Sequence, residues 1–141
     1  MIRQIAHVCL YTDRLEEMRR WYVDGLGLRL AFPFENPETG ATFGLYFDAG
    51  NSTFLEIFDR KGAAEMWGGE VRQVERGTDH RHLCFEVTGL DALRARLLER
   101  RLEVTEPKVG LDHSRQAWTA DPDGNPVELM EYTAESLQLR R

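Results

Sequence analysis

The sequence predicts an α+β fold built from two βαβββ modules, and three observations carry that expectation. The chain repeats itself. His7-Val8-Cys9-Leu10 aligns with His82-Leu83-Cys84-Phe85 at an offset of 75, and Leu55-Glu56-Ile57-Phe58 aligns with Val127-Glu128-Leu129-Met130 at an offset of 72. The apolar period also changes in the same order in both halves, from the alternation of a strand to the three-and-four spacing of a helix. Finally, strong turn formers, Ala49-Gly50-Asn51 and Asp121-Pro122-Asp123-Gly124-Asn125, separate the alternating runs late in each half.

Taken in order, residues 4–11 alternate and predict a strand. Asp13 is expected to cap a helix that ends near Gly25 to Gly27. Its stripe is Leu15, Met18 and Tyr22, which falls on Leu90, Leu93 and Leu97 at the offset of 75. Strands follow at 28–34, 42–48 and 52–59. The second half reads as strand 80–87, helix 90–101, and strands 102–106, 114–120 and 125–132. The first module thus takes residues 1–60 and the second 80–132. Between them 61–79, rich in glycine and charge, is the expected linker, with a short helix around Ala63 to Trp67. The tail, 133–141, is expected to be helical and peripheral.

A length of 141 residues is enough to bury a hydrophobic interior, and 42% hydrophobic with 30% charged residues is ordinary globular composition. The formal charge of −6 argues against a nucleic-acid partner, which requires clustered cations. No stretch approaches the roughly 18 apolar residues that span a bilayer. The N-terminus lacks the charged-then-apolar order of a signal peptide, so a cytoplasmic location is expected, with Cys9 and Cys84 as free thiols.

Alternation gives each strand two faces. One collects Ala6, Val8, Leu10, Phe43, Leu45, Phe47, Leu55, Ile57, Leu83, Phe85, Val87, Val127 and Leu129, and should lie under the helices. The other carries Ile5, His7, Cys9, Tyr11, Tyr46, Asp48, Phe54, Glu56 and Phe58 in the first half. In the second it carries His80, His82, Cys84, Glu86, Gln116, Trp118, Glu128, Met130 and Tyr132. A curved sheet whose concave side forms a pocket accounts for both sets. His7, Glu56, His82 and Glu128 then supply a mixed nitrogen and oxygen donor set suited to one divalent ion, Zn, Ni, Co, Mn or Fe. A lone strand histidine is more often not a ligand, but duplication of the same His and Glu in both halves reverses that expectation. His80 has Ile5 at its equivalent place and reads as a rim group; the two cysteines read as small packing residues and His113 as a surface histidine.

Paired βαβββ modules, a His opening the first and fifth strands, a Glu late in the fourth and eighth, and the Asp121 to Asn125 turn followed by Pro126-Val127-Glu128-Leu129 resemble the vicinal-oxygen-chelate superfamily. The resemblance runs from His7 to Tyr132. It implies a cupped, partly open mixed-sheet barrel with helices outside, and a homodimer. The His, Glu, His, Glu quartet is similar to that of glyoxalase I; extradiol dioxygenases use two His and one Glu, which here would be His7, His82 and Glu128. Bleomycin-binding members generally lack the ligands. Glyoxalase I has an Arg where this chain has Tyr11 and an Asn where it has Arg60, so the resemblance does not imply glutathione recognition.

The resulting expectation is a metal-dependent lyase or isomerase acting on a small oxygen-chelating carbonyl compound through an enediolate, with Glu56 and Glu128 as the catalytic carboxylates. Tyr11, Tyr46, Phe58, Gln116, Trp118 and Met130 are expected to line the substrate pocket. An Fe(II) dioxygenase and a ligand-sequestering resistance protein are the alternatives.

Overall fold

The computed structural model describes residues 3–70 and 82–139. The chain divides into two compact units, Met1–Arg76 and Gly77–Arg141. The first contains β1 (His7–Thr12), α1 (Leu15–Arg20) running on as a π turn over Trp21–Gly25, β2 (Arg29–Glu35), β3 (Thr42–Asp48), β4 (Phe54–Asp59) and α2 (Arg60–Trp67). The second contains β5 (Leu83–Glu86), α3 (Leu90–Glu99), β6 (Lys108–Val109), β7 (Arg115–Ala120), β8 (Pro126–Glu131) and a 3-10 turn at Leu137–Leu139.

Among the described residues each unit holds a four-stranded mixed sheet of the same topology: β1-β4-β3-β2 in one, β5-β8-β7-β6 in the other. The first strand of each pairs parallel with the last, and the remaining pairs are antiparallel. The α+β class and the two modules agree with the sequence. Neither described sheet closes on itself into a barrel.

The helix stripes are the buried ones. Met18 and Tyr22 of α1 and its π turn, and Leu90, Leu93 and Leu97 of α3, are buried with Phe47, Leu55 and Ile57 in one unit and Ala117, Val127 and Leu129 in the other. Burying each such large apolar side chain contributes about 1.5–3 kcal/mol. The Tyr22 ring lies 5.7 Å from that of Phe47. On its outer face α1 is laced by Glu16, which accepts from both Arg19 and Arg20.

Four expectations are corrected. Asp13 is not the α1 cap: the chain turns instead at Thr12, whose buried hydroxyl accepts from the Arg14 N–H at 2.9 Å, and Asp13 accepts from Arg60. The segment 102–106 is not a strand. It runs beside β7 but its bonds are partly made by side chains: the Trp118 N–H donates to Thr105 Oγ1 and Thr119 Oγ1 donates to the Glu103 carbonyl. Pro107 then removes a donor, and ladder pairing waits until Lys108. Helix α2 starts directly at the end of β4, because Asp59 accepts from the Gly62 N–H at 2.6 Å. Among its described residues the tail forms a 3-10 turn rather than an α-helix, tied down by a bond between Ser136 and Ser114 in the interior. The first residues of the expected strand 80–87, residues 71–79 of the linker and residues 140–141 lie outside the described residues.

Two local devices shape the sheets. In the first unit, Gly44 lets the ring of Phe58 lie across β3, since a Cβ there would meet Phe58 at 2.3 Å. In the second, Gly89 takes a left-handed φ of 68° at the start of α3 and has no side chain to cap it. Glu131 of β8 does so instead, its Oε1 accepting from Gly89 N at 2.6 Å and Leu90 N at 3.2 Å. Its other oxygen accepts from Arg115, which also grips Asp91 in the first turn of α3.

Candidate functional site

The register of each sheet decides which polar groups meet. Parallel pairing sets Cys9 opposite Glu56, and antiparallel pairing sets Tyr46 opposite Glu56 on its other side. The second unit repeats this with Cys84 and Trp118 on either side of Glu128. His7 opens β1, and His82 stands immediately before β5. His7 Nε2 lies 3.7 Å from Glu56 Oε2, and His82 Nε2 lies 3.1 Å from Glu128 Oε2. The four expected ligands therefore form two His–Glu pairs, one in each unit. The imidazoles are 46% and 37% exposed, the carboxylates only 13% and 8%.

Among the described residues no three His, Cys, Asp or Glu side chains gather into a metal-holding group. Each pair nevertheless suits half of a coordination shell. Metal–nitrogen and metal–oxygen bonds of about 2.0–2.2 Å, at angles between octahedral and tetrahedral, put neighbouring donors about 2.9–3.5 Å apart. Both pairs lie near that range, and both combine imidazole with carboxylate, a set chosen by borderline and hard divalent ions. The largely buried carboxylates each meet an imidazole and a thiol, an arrangement that a cation would stabilise.

The thiols beside these carboxylates are held in the protonated form. Burial, then the hydrogen bond and negative charge of Glu56, push the Cys9 thiol up to about 12. Burial and the charge of Glu128 do the same to Cys84. Both cysteine residues are otherwise exposed and free, and a protonated thiol donating to a carboxylate fits that setting better than a thiolate ligand. Partial burial, with Glu56 and Cys9 nearby, also raises the Tyr46 phenol, which keeps it neutral.

The aromatic groups divide into different settings. The Tyr46 hydroxyl lies 2.9 Å from His7 Nδ1. Trp118, at the equivalent place, sets its ring edge-on to His82 with centroids 4.9 Å apart. Tyr11 is exposed beside Phe58, whereas Phe58 itself is 3% exposed and packed with Phe43, Ala63, Phe34 and Met66. Trp67 of α2 stands edge-on to that cluster, 4.9 Å from the Phe58 ring. Gln116 is drawn to the loop after β6, donating to Asp112 at 3.2 Å, and Met130 pairs with it across β7 and β8. Arg60 is held by Asp13 at 3.1 Å. His113 is exposed, in the 110–114 turn, at a φ of 67°, and His80 is outside the described residues.

Sequence reading missed Phe32. A register irregularity between Leu30 and Phe32 lets Leu30 pair with Phe47 but Phe32 with Tyr46, so that the two residues point to opposite faces although two apart. Phe32 then stacks on Tyr46, with centroids 4.7 Å apart and planes 15° apart. Phe54 and Phe34 complete the aromatic surround of Tyr46 at 5.3 and 5.8 Å. Strict alternation puts Phe32 with Leu30; only the bulge reverses it.

Comparison with known proteins agrees with this architecture. The family model of the Glyoxalase/Bleomycin resistance protein/Dioxygenase superfamily matches residues 4–129. Lactoylglutathione lyase of Haemophilus influenzae is 31% identical over 91% of this chain and 92% of its own length. Ethylmalonyl-CoA/methylmalonyl-CoA epimerase of Cereibacter sphaeroides is 31% identical over 78% of this chain and 82% of its own. Biphenyl-2,3-diol 1,2-dioxygenase 3 of Rhodococcus globerulus is 30% identical over 89% of this chain, which spans 62% of that enzyme's length. Among solved structures, a glyoxalase family protein from Enterococcus faecalis superposes with a TM-score of 0.68 at 26% identity, covering 92% of this chain and 98% of that one. The antibiotic-binding protein TnmS3 from Streptomyces sp. CB03234 superposes with a TM-score of 0.70 at 25% identity, covering 94% and 98%. The shared module order, the two parallel strand pairs and the match along nearly the whole sequence lead to one conclusion: the chain belongs to the Glyoxalase/Bleomycin resistance protein/Dioxygenase superfamily.

Proposed function

We propose that the chain is a divalent-metal-dependent lyase or isomerase acting on a small carbonyl compound with adjacent oxygens. The observation that carries this reading is the repeated His–Glu pair at equivalent register in both units. His7, Glu56, His82 and Glu128 are the proposed ligands of one ion per chain, of the Zn, Ni, Co, Mn or Fe class. When bound, that ion supplies Lewis-acid polarisation of the substrate oxygens. Glu56 and Glu128 are the proposed bases: a carboxylate takes the proton from the carbon beside the carbonyl, holds it on oxygen, and returns it to the neighbouring carbon or to the other face. Glu56, 3.7 Å from its histidine, is the looser partner and the better placed to exchange a proton. Tyr11, Tyr46, Gln116, Trp118 and Met130 would border the substrate, with Phe58 as support behind them. Position 11 carries a tyrosine in place of an arginine, and Arg60 is engaged with Asp13, which favours an aromatic or apolar small molecule over a glutathione conjugate.

Elemental analysis of the purified protein, with the His82→Ala and Glu56→Ala variants, tests the reading. One metal per chain that is lost in both variants supports it, together with metal-dependent exchange of a substrate carbon-bound proton with deuterated water. Absence of metal even after reconstitution would overturn it and leave a ligand-binding protein. The longer His7–Glu56 separation favours one alternative, an Fe(II) dioxygenase using only His7, His82 and Glu128. That reading requires iron retained by Glu56→Ala and oxygen uptake with catechols.

A further inference from the structure

Two units built on one plan should treat their histidines alike, and they do not. Tyr46 and Trp118 occupy the same register position, each opposite the glutamate of its own pair. Tyr46 reaches His7 with a hydroxyl, at 2.9 Å from Nδ1, while Trp118 meets His82 with a ring edge. The chemical difference is sharp. A histidine that offers the lone pair of Nε2 carries its proton on Nδ1 and needs an acceptor there. A phenol oxygen can accept; an indole N–H can only donate.

His7 is set up for this arrangement. Its Nδ1 faces the phenol and its Nε2 faces Glu56. The Tyr46 ring is in turn fixed from the side by Phe32, which reaches the same face only through the bulge in β2. Chain irregularity, aromatic stack, phenol and imidazole thus form one sequence of contacts within the first unit.

We infer that Tyr46 is a positioning residue for His7: its hydroxyl accepts the Nδ1 proton and thereby presents Nε2 to a cation beside Glu56, with Phe32 holding the phenol in place. His82, facing an indole, receives no such help from its third strand. This rests on the metal reading above, and the test separates the two.

The first arm uses nitrogen-15 NMR of the His7 ring in metal-free protein, at a pH where the ring is neutral. The Nδ1–H tautomer should dominate in the wild type and the two should mix in Tyr46→Phe, a variant that keeps the stacked ring; a dominant Nε2–H tautomer in the wild type would overturn the inference. The second arm titrates Zn²⁺ alone. Tyr46→Phe should weaken binding about tenfold, the lower end of the loss typical when a ligand's hydrogen-bond partner is removed. Phe32→Leu, which retains the hydroxyl but loses the stack, should weaken it less, and Trp118→Phe, which keeps a ring against His82 and removes no acceptor, should also weaken it less than Tyr46→Phe. Wild-type affinity together with a single His7 tautomer in Tyr46→Phe would overturn the inference, as would equal losses in Tyr46→Phe and Trp118→Phe. Should the wild type bind no Zn²⁺, the metal reading falls and the tautomer arm alone decides whether Tyr46 orients His7. If Tyr46→Phe does not fold, Phe32→Leu answers the same question through both arms.

Discussion

Removing the side chain of Glu131 should destabilise the second unit by detaching the start of α3. That helix begins at a glycine in left-handed conformation, so its first N–H groups have no local side chain to satisfy them. Glu131 reaches in from β8, 42 residues away, and accepts from two of them, at 2.6 and 3.2 Å. A helix cap of this kind is worth about 1–2 kcal/mol, so Glu131→Ala should cost about that much. For a chain of this size the melting point should then fall by roughly 3–7 °C. The loss of the Arg115 contact adds a smaller amount, because that arginine is partly exposed and still holds Asp91. Glu131→Gln separates the two contributions. Its amide oxygen can still accept from Gly89 and Leu90, so it should lie much closer to the wild type than the alanine variant does. Urea denaturation of wild type, Glu131→Ala, Glu131→Gln and Arg115→Met gives the ranking. The reasoning is refuted if the alanine and glutamine variants are equally destabilised, or if both match the wild type within about 0.3 kcal/mol, below the smallest cap effects.

Gly44→Ala should cost about 1–3 kcal/mol through overpacking, since its Cβ would sit 2.3 Å from the buried Phe58 ring; adding Phe58→Leu should recover part of that loss, and additive effects would contradict it. Acid should loosen the C-terminal turn through Asp112. Its carboxyl is held below the ordinary range first by the Gln138 amide and then by Ser114. The folded value is depressed, so this stabilisation is present above the unfolded value of about 4 and is lost as pH falls through the folded one. The stability difference between wild type and Asp112→Ala should therefore shrink toward zero on acidification, as followed by thermal unfolding against pH.

The fold was legible because the sequence carries two periods and a duplication that must satisfy the same geometry twice. The offset of 75 in the first strands and 72 in the last ones describes the observed register, with Cys9 and Cys84 opposite Glu56 and Glu128. The His–Glu pairs could be anticipated for the same reason. What escaped were features that depend on side chains replacing backbone. Thr12 rather than Asp13 starts the turn into α1, and both are reasonable capping residues. Glu103 and Thr105 have strand-like alternation, yet their neighbours bond to side chains and Pro107 interrupts the ladder. Phe58 alternates onto the open face, but Gly44 and α2 allow its ring to be covered. The Tyr46–His7 bond needed the third strand's register, which the repeat implied through Tyr46 and Trp118 but which only three dimensions make chemical.

Glu56 follows His7 by 49 residues, whereas Glu128 follows His82 by 46. A difference of three is odd, and an odd length change inside a ladder would turn a glutamate toward the core. The offset changes between Tyr22, which matches Leu97, and Phe43, which matches Arg115. That stretch of the first unit holds the π turn at Trp21–Gly25 and both register irregularities of β2. Irregular backbone there is the joint at which the two copies were free to differ in length while their His- and Glu-bearing strands stayed in phase. Insertions engineered into this chain should be tolerated in the same stretch and should abolish the His–Glu pairing if placed within β1, β4, β5 or β8.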